Sequence, residues 1–424
     1  MDIVYLTNGF PLPLTSGYLR HYFFIKELAQ RHRITLLSIV HAGFRPEHSR
    51  AMEPLTEKIM PFVARRRGGS ILRKSVDRAV ALAFGEPEIR QMRSALRQLL
   101  ETRRFDALIV SGKPTFDALD GLDVPPVIAD VCDATSMRLR GEMALARGAR
   151  RVILSLNQKR VGQLERRMVR KCEHLVFAAA RDREAVVGAE TARTTVLPNG
   201  VDLEFWSRRT RQLGRDTIVL TGAMNYPPNA DAAWHLATDI FPIVLKAVPG
   251  AQLLIVGHSP TTALMHAARH GSITVTGFVD DVRPYLERAT LFVAPLRFGA
   301  GIQNKLLEAL AMEVPVLTSA VGEGGLRGSL GECPPVQTAA TAQQYADIII
   351  EQLARGAQDP TPAAEGRSYV ERHFSWTRSG GQLNELLEAT VRGRRRDRGA
   401  AIEARLRTTS QSEECHEKPA PDHT

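Results

Sequence analysis

Short runs of Val, Ile and Leu without polar alternation recur along this chain, each followed by a stretch of helical periodicity. Residues 2–8, 34–40, 107–110, 124–129 and 174–179 read as such strands. A strand with no alternation needs apolar cover on both faces, which a parallel sheet between layers of helices supplies. Strands separated by helices then imply βαβ units with right-handed crossovers. After the first strand comes a Gly/Pro/Ser turn from Gly9 to Gly17. Tyr18, Tyr22, Ile25 and Leu28 follow at helical spacing.

The pattern then starts again. Pro198-Asn199-Gly200 is turn chemistry, and a polar, Arg-rich connector leads to a second series of strands at 217–221, 252–256, 273–276, 291–294 and 314–318. Two α/β halves of about 190 residues, joined near 198–215, account for this most simply. The expected domains are 1–200 and 201–390, with a last helix at about 365–390 packing back on the first. From about Val391 the chain turns Arg-rich and then polar, so residues 391–424 read as a disordered tail.

Several classes drop out. Four cysteines with no CxxC pair argue against a disulfide scaffold or zinc site and fit a reducing cytoplasm. No stretch approaches the ~18–20 uncharged apolar residues of a membrane-spanning helix. The start, Met1-Asp2-Ile3-Val4-Tyr5-Leu6, runs directly into a strand without the basic region of a signal peptide. A cytoplasmic protein is expected.

Lys and Arg number 56 against 46 Asp and Glu, a net +10. The excess is concentrated: residues 138–171 hold 11 basic side chains and 2 acidic ones, Glu142 and Glu165. Such a segment suits an anionic neighbour such as acidic lipid headgroups, a diphosphate or nucleic acid. A solvated basic face without any partner is the competing reading. Nucleic acid is disfavoured because no aromatics interleave the basic residues. A Rossmann dehydrogenase is disfavoured because no G-x-G-x-x-G follows the first strand.

Residues 291–311 carry the most chemistry: a strand, then Arg297-Phe298-Gly299-Ala300-Gly301, then a helix. Gly299 and Gly301 let backbone approach a ligand, and the following helix N-terminus favours an anion. Lys305 and Glu308 are three apart and share a helix face, read as opposite the Leu306/Leu310 stripe. There Lys305 would neutralise a diphosphate while Glu308 accepts hydrogen bonds from a vicinal diol such as ribose. An ordinary surface pair behind a capping glycine is the alternative. Ligands of open parallel sheets sit at the carboxyl ends of strands. Other loops at such ends carry Gly17, Gly222 with Asn225, Gly277-Phe278 and Gly322-Glu323-Gly324-Gly325. Asp130, Asp133, Ser136 and Arg140 follow a strand of the first half. Gly-rich loops on both halves imply a cleft between facing domains.

These segments resemble glycosyltransferase family 4, retaining sugar transferases of the GT-B fold with two facing Rossmann-like, doubly wound domains. The likeness runs to about residue 390 and rests on five stretches beyond the first strand–turn–helix: Val196-Leu197-Pro198-Asn199-Gly200-Val201-Asp202; Gly222 through Asn229; Gly277-Phe278-Val279-Asp280-Asp281-Val282; Gly301 through Ala309; and His373-Phe374-Ser375-Trp376. The 222–229 and 301–305 stretches and the Asp130/Asp133/Ser136 spacing look like sugar transferases of bacterial PEP-CTERM and exosortase systems.

The resemblance implies that Glu308 is the second glutamate of an E-x7-E motif and binds the nucleotide ribose. It places Lys305 on the donor diphosphate, Gly17 beside the phosphates or sugar, and the Phe278 backbone at the base. This chain departs from the pattern in having Ala300 where the first glutamate falls, and in lacking an Arg and Lys pair after Thr221. Arg297 and Arg283 are the candidate replacements for that charge.

The implied activity is retaining transfer of a sugar from a nucleotide diphosphate sugar to a hydroxyl acceptor, in exopolysaccharide or other cell-surface glycan synthesis. No metal or other cofactor is implied. Basic groups and helix N-termini would stabilise the departing diphosphate, at ~3 kcal/mol per well-placed donor. Lys305 and Glu308 are thus the catalytic candidates on the donor side. Asp133, which competes with a reading as helix N-cap, would orient the acceptor hydroxyl or take its proton. Acceptor-side contacts are expected from Asp130, Ser136 and Arg140, and donor contacts from Gly222, Asn225, Arg297, Gly299, Gly301 and Glu323. The basic segment suggests peripheral contact with an anionic membrane and a lipid-linked acceptor. A nucleotide-sugar epimerase of the same fold and a catalytically impaired nucleotide-sugar-binding partner protein are the alternatives.

Overall fold

The computed structural model describes residues 1–14, 18–41, 43–64, 86–188, 192–209, 215–268, 271–328, 332–355 and 361–414. Gly17 and residues 415–424 lie outside them. Two parallel sheets form, one in each half. The first contains β1 (Asp2–Thr7), β2 (Arg33–Val40), β3 (Lys58–Val63), β4 (Ala107–Ser111), β5 (Val127–Cys132), β6 (His174–Phe177) and β7 (Thr194–Val196), in spatial order 3-2-1-4-5-6-7. The second contains β8 (Thr217–Thr221), β9 (Gln252–Val256), β10 (Ile273–Val275), β11 (Leu291–Ala294), β12 (Val316–Thr318) and β13 (Gln337–Thr338), in order 10-9-8-11-12-13.

Both orders reverse direction once, between β1 and β4 and between β8 and β11. At such a switch point the connections leave on opposite sides of the sheet, opening a crevice at the strands' carboxyl ends. The apolar runs are buried as their lack of alternation requires: β4, β8 and β11 are covered at every residue.

The helices that bear on the site are α1 (Leu19–Leu28), α2 (Thr135–Leu145), α3 (Gly148–Lys171), α4 (Ala180–Val187), α5 (Pro227–His235), α6 (Asn304–Ala311), α7 (Thr361–His373) and α8 (Trp376–Glu414). The expected closing element is two helices, α7 and α8. Trp376 stacks on Phe23 of α1 with ring centres 4.6 Å apart, and Leu383, Leu387 and Val391 enter the first domain's core.

The tail reading is corrected. Residues 391–414 continue α8, with Val391 buried, Arg395 2.7 Å from Asp106 and Arg394 paired with Glu173. Arg, Ala and Glu are strong helix formers, and the helix is already nucleated by its packed first turns.

Candidate functional site

The second domain's switch point is built by the loops after β8 and β11 and by α6. Gly222 leaves β8 at φ +148°, a backbone region closed to most side chains, and a Cβ there would lie 2.6 Å from the Asn229 amide nitrogen. Asn229, buried in the first turn of α5, donates to the Ala223 carbonyl at 3.0 Å and turns its oxygen to Lys305. Lys305 Nζ donates to Asn229 Oδ1 at 2.6 Å and to Gln303 Oε1 at 3.0 Å. Gln303 is oriented in turn by donating to the Ala300 carbonyl.

Lys305 is 8% exposed and its two ammonium partners are neutral amide oxygens, so its charge is held without being cancelled. Glu308 lies one turn on, partly covered, and its carboxylate has no hydrogen-bond or ion-pair partner among the described residues. Burial lowers the Lys305 pKa to about 8, with the Glu308 charge working the other way. Burial likewise raises Glu308 to about 7 against the pull of Lys305. A bare cation and a free acceptor at a switch point suit a ligand that brings an anion and hydroxyl donors.

The group expected to meet an acceptor is assembled from the ends of β4 and β5 and from α2. Asp133 Oδ1 accepts from Lys113 Nζ at 3.0 Å and Thr135 Oγ1 at 2.6 Å. Burial works to raise the Asp133 pKa, but the Lys113 charge and these hydrogen bonds outweigh it and the pKa is lowered. An ionised carboxylate so held suits orienting a hydroxyl better than taking its proton at neutral pH. Asp133 does not cap α2. The N-cap is Ala134, whose amide goes to Asp182, while the Ser136 amide goes to Glu165.

Other expected residues are placed differently. Asp130 is closed off within the first domain: Arg20 binds it in bidentate fashion at 2.9–3.1 Å and Ser111 Oγ donates to it at 2.9 Å. An acceptor contact from Asp130 is thereby corrected to a structural ion pair. Ser136 is buried, and Arg140 is exposed on α2; Arg138 instead reaches across to the Tyr226 ring at 5.8 Å. Arg297 does not replace the missing diphosphate clamp, because Asp231 of α5 takes its guanidinium. Arg283 does not either: it pairs with Asp281 and lies 3.9 Å over the Phe205 ring. Glu323 pairs with Arg327 at 3.0 Å. Asn225 is exposed in the loop after β8, and Phe278, beyond edge strand β10, is 67% exposed. Gly299 and Gly301 are buried, Gly301 at φ +66°.

Two residues that carry no motif join the domains. Asp182 of α4 is fully buried and accepts from the Ala134 amide at 2.7 Å and the Gly301 amide at 2.9 Å, one from each domain. Arg181 donates to the Gly301 carbonyl at 3.0 Å and also to the Val321 carbonyl. The Gly301 loop is thus held beside Asp133, with which a Gly301 Cβ would be in contact at 3.2 Å. A second tie runs through the hinge. Arg20 donates to the Leu197 carbonyl and to Asn199 at 2.9 Å, and Asn199 donates at 2.8 Å to Asn304, the first residue of α6.

With Lys305, Glu308 and the glycine loops together at the second switch point, comparison with known proteins is informative. Residues 215–355 match the profile of Glycosyl transferases group 1. That match lies within the second domain and takes in β8 through β13. A phosphatidyl-myo-inositol mannosyltransferase of Mycobacterium tuberculosis is 28% identical over 209 residues, 46% of this chain and 54% of the relative. A GDP-mannose-dependent monoacylated alpha-(1-6)-phosphatidylinositol monomannoside mannosyltransferase of Corynebacterium glutamicum is 26% identical over 223 residues, 46% of this chain and 56% of that one. The matches thus span about half the length of these curated relatives.

Among solved structures, sucrose-phosphate synthase of Thermosynechococcus elongatus superimposes with a TM-score of 0.68 at 15% identity, covering 92% of this chain and 99% of that one. Anabaena HepE in complex with UDP-glucose gives 0.62 at 13%, covering 92% and 100%. These likenesses establish the GT-B fold. Among the described residues, no three or more His, Cys, Asp and Glu side chains are grouped to hold a metal ion, and no helix is long and apolar enough to cross a membrane.

Proposed function

We propose that this group 1 glycosyl transferase moves a sugar, with retention, from a nucleotide diphosphate sugar to a hydroxyl of a sugar or lipid-linked glycan. The observation that carries the reading is the Lys305 ammonium, buried against two amide oxygens and facing no carboxylate within ion-pair distance, one turn from the unpartnered Glu308. In this reading Lys305 and the α6 N-terminus take the diphosphate, and Glu308 accepts from the ribose diol. Asp133 orients the acceptor hydroxyl from across the cleft. Charge on the leaving diphosphate is met by this chain's own groups without a metal. The names of the relatives, one a phosphatidyl-myo-inositol mannosyltransferase and the other a phosphatidylinositol monomannoside mannosyltransferase, support a lipid-linked acceptor. The motif likeness to exosortase-associated transferases supports a role in cell-surface glycan assembly.

Incubation with a panel of nucleotide diphosphate sugars and acceptors, followed by product analysis, tests the reaction class. Acceptor-dependent release of nucleoside diphosphate with an axial or equatorial linkage matching the donor supports retaining transfer. Interconversion of donors without acceptor would instead show an epimerase, and binding without turnover a partner protein.

A pH profile follows from the pair. The diphosphate needs Lys305 charged, so affinity should fall as pH rises through about 8. The ribose diol needs Glu308 ionised, so affinity should also fall as pH drops through about 7. Calorimetric titration of a nucleoside diphosphate is expected to give a maximum between the two, and a profile flat on the alkaline side would contradict the role of Lys305.

A further inference from the structure

We propose that the hairpin formed by α2 and α3 is a docking surface for an anionic lipid bilayer. The two helices pack through a small core of their own, Leu139, Ala146 and Leu154 with Met143 and Val161. Outside it, Leu145, Val152, Ile153 and Leu156 remain 45%, 61%, 50% and 58% exposed. Four of the ten large exposed apolar side chains among the described residues therefore sit at one hairpin tip, which marks a patch rather than scatter. Val152 and Leu156 are one turn apart with Ile153 beside them, so they share the outward face of α3.

The same face continues toward the C-terminus as Lys159, Arg160, Arg166 and Arg170, and Arg147 and Arg151 flank the tip. These six form no ion pair among the described residues. Both acidic residues of the segment are turned inward. Glu142 is 6% exposed and paired with Arg138 and Arg150; Glu165 is 3% exposed, taking the Ser136 amide and lying 3.7 Å from Lys113.

An aliphatic tip continued by an unneutralised cationic shank matches the layers of a bilayer, with the tip at the acyl boundary and the shank on acidic headgroups. A second copy of the chain fits poorly, since pairing two such faces brings like charges together. The position gives the surface its use. α2 starts at the cleft beside Asp133, with Arg138 against Tyr226, so a bilayer on this hairpin adjoins the acceptor side. That last step rests on the proposed transferase reading; the docking does not.

Co-sedimentation of the full chain, without donor, is the test, using phosphatidylcholine vesicles and phosphatidylcholine vesicles containing phosphatidylglycerol. Binding is expected to the anionic vesicles and to fall with added salt. Combined Val152→Ser, Ile153→Ser and Leu156→Ser should weaken it at least tenfold (on the order of three aliphatic side chains withdrawn from the acyl boundary). Combined Arg151→Gln, Lys159→Gln and Arg160→Gln should weaken it about fivefold per charge and flatten the salt dependence. Because all six side chains are exposed, both variants should melt like the wild type and keep transfer to a water-soluble acceptor. Equal binding to both vesicle types, or undiminished anionic binding by the Ser variant, would overturn the proposal. So would absence of binding together with a concentration-dependent dimer that the Ser variant breaks. Loss of transfer to a soluble acceptor in the wild type, with vesicle binding as expected, would count against the transferase reading alone.

Discussion

Lys305→Met is expected to lower sugar transfer by about 10²–10³-fold while leaving the chain folded. The substitution keeps the length and apolar stem but removes the cation that would meet charge developing on the diphosphate. Asn229 and Gln303 lose a shared donor, at about 1–3 kcal/mol if neither is rehydrated. A compensating gain arises from the charge itself. The folded pKa of Lys305, about 8, lies below its ordinary 10.5, so its charge opposes folding at every pH below about 8. That cost lapses as pH rises from 8 toward 10.5. The variant should therefore lose little stability at neutral pH. Thermal melting beside steady-state assays checks both halves, and near-normal turnover would remove Lys305 from the site.

The second large effect is on stability. Arg20→Ala or Asp130→Ala should cost about 3–5 kcal/mol, because either leaves a buried, uncompensated charge. The pair is 4% and 2% exposed at the side chains and is shared with Ser111, Leu197 and Asn199. An apolar double variant, Arg20→Met with Asp130→Leu, should be less damaging than either single change. Urea titration followed by circular dichroism measures this. Because Asn199 continues to Asn304 at the start of α6, the single variants should also raise KM for the donor. A loss in the double variant equal to the sum of the two single losses would show that the ion pair is not a coupled unit.

The sheets were legible because burial on both faces leaves apolar runs that no polar residue interrupts, as in β8, β9 and β11. What escaped were edges. β3, β7 and β13 border their sheets, and β13 is exposed at both residues, so no apolar run was required of them. The loops and the Lys305/Glu308 pair of the second switch point were legible for a similar reason: glycines at strand ends and a Lys/Glu pair one turn apart reflect backbone geometry and local spacing. Asn229 and Gln303 were not, because their role is set by the direction of one amide oxygen. Asp182 and Arg181 sit in an ordinary-looking helix and act on backbone groups 119 and 120 residues away. Asp130 shows the converse: a carboxylate at a strand end looks available until its partner, Arg20 on α1, is placed beside it.

The measurement that bears most directly on the account is calorimetric titration of nucleoside diphosphates, in ribo and 2′-deoxy forms, into the wild type, Lys305→Met and Glu308→Gln. The account predicts that Lys305→Met weakens both forms alike. Glu308→Gln should abolish the preference of the wild type for the ribo form while leaving the diphosphate term in place. Equal affinity of all three proteins for both forms would contradict it.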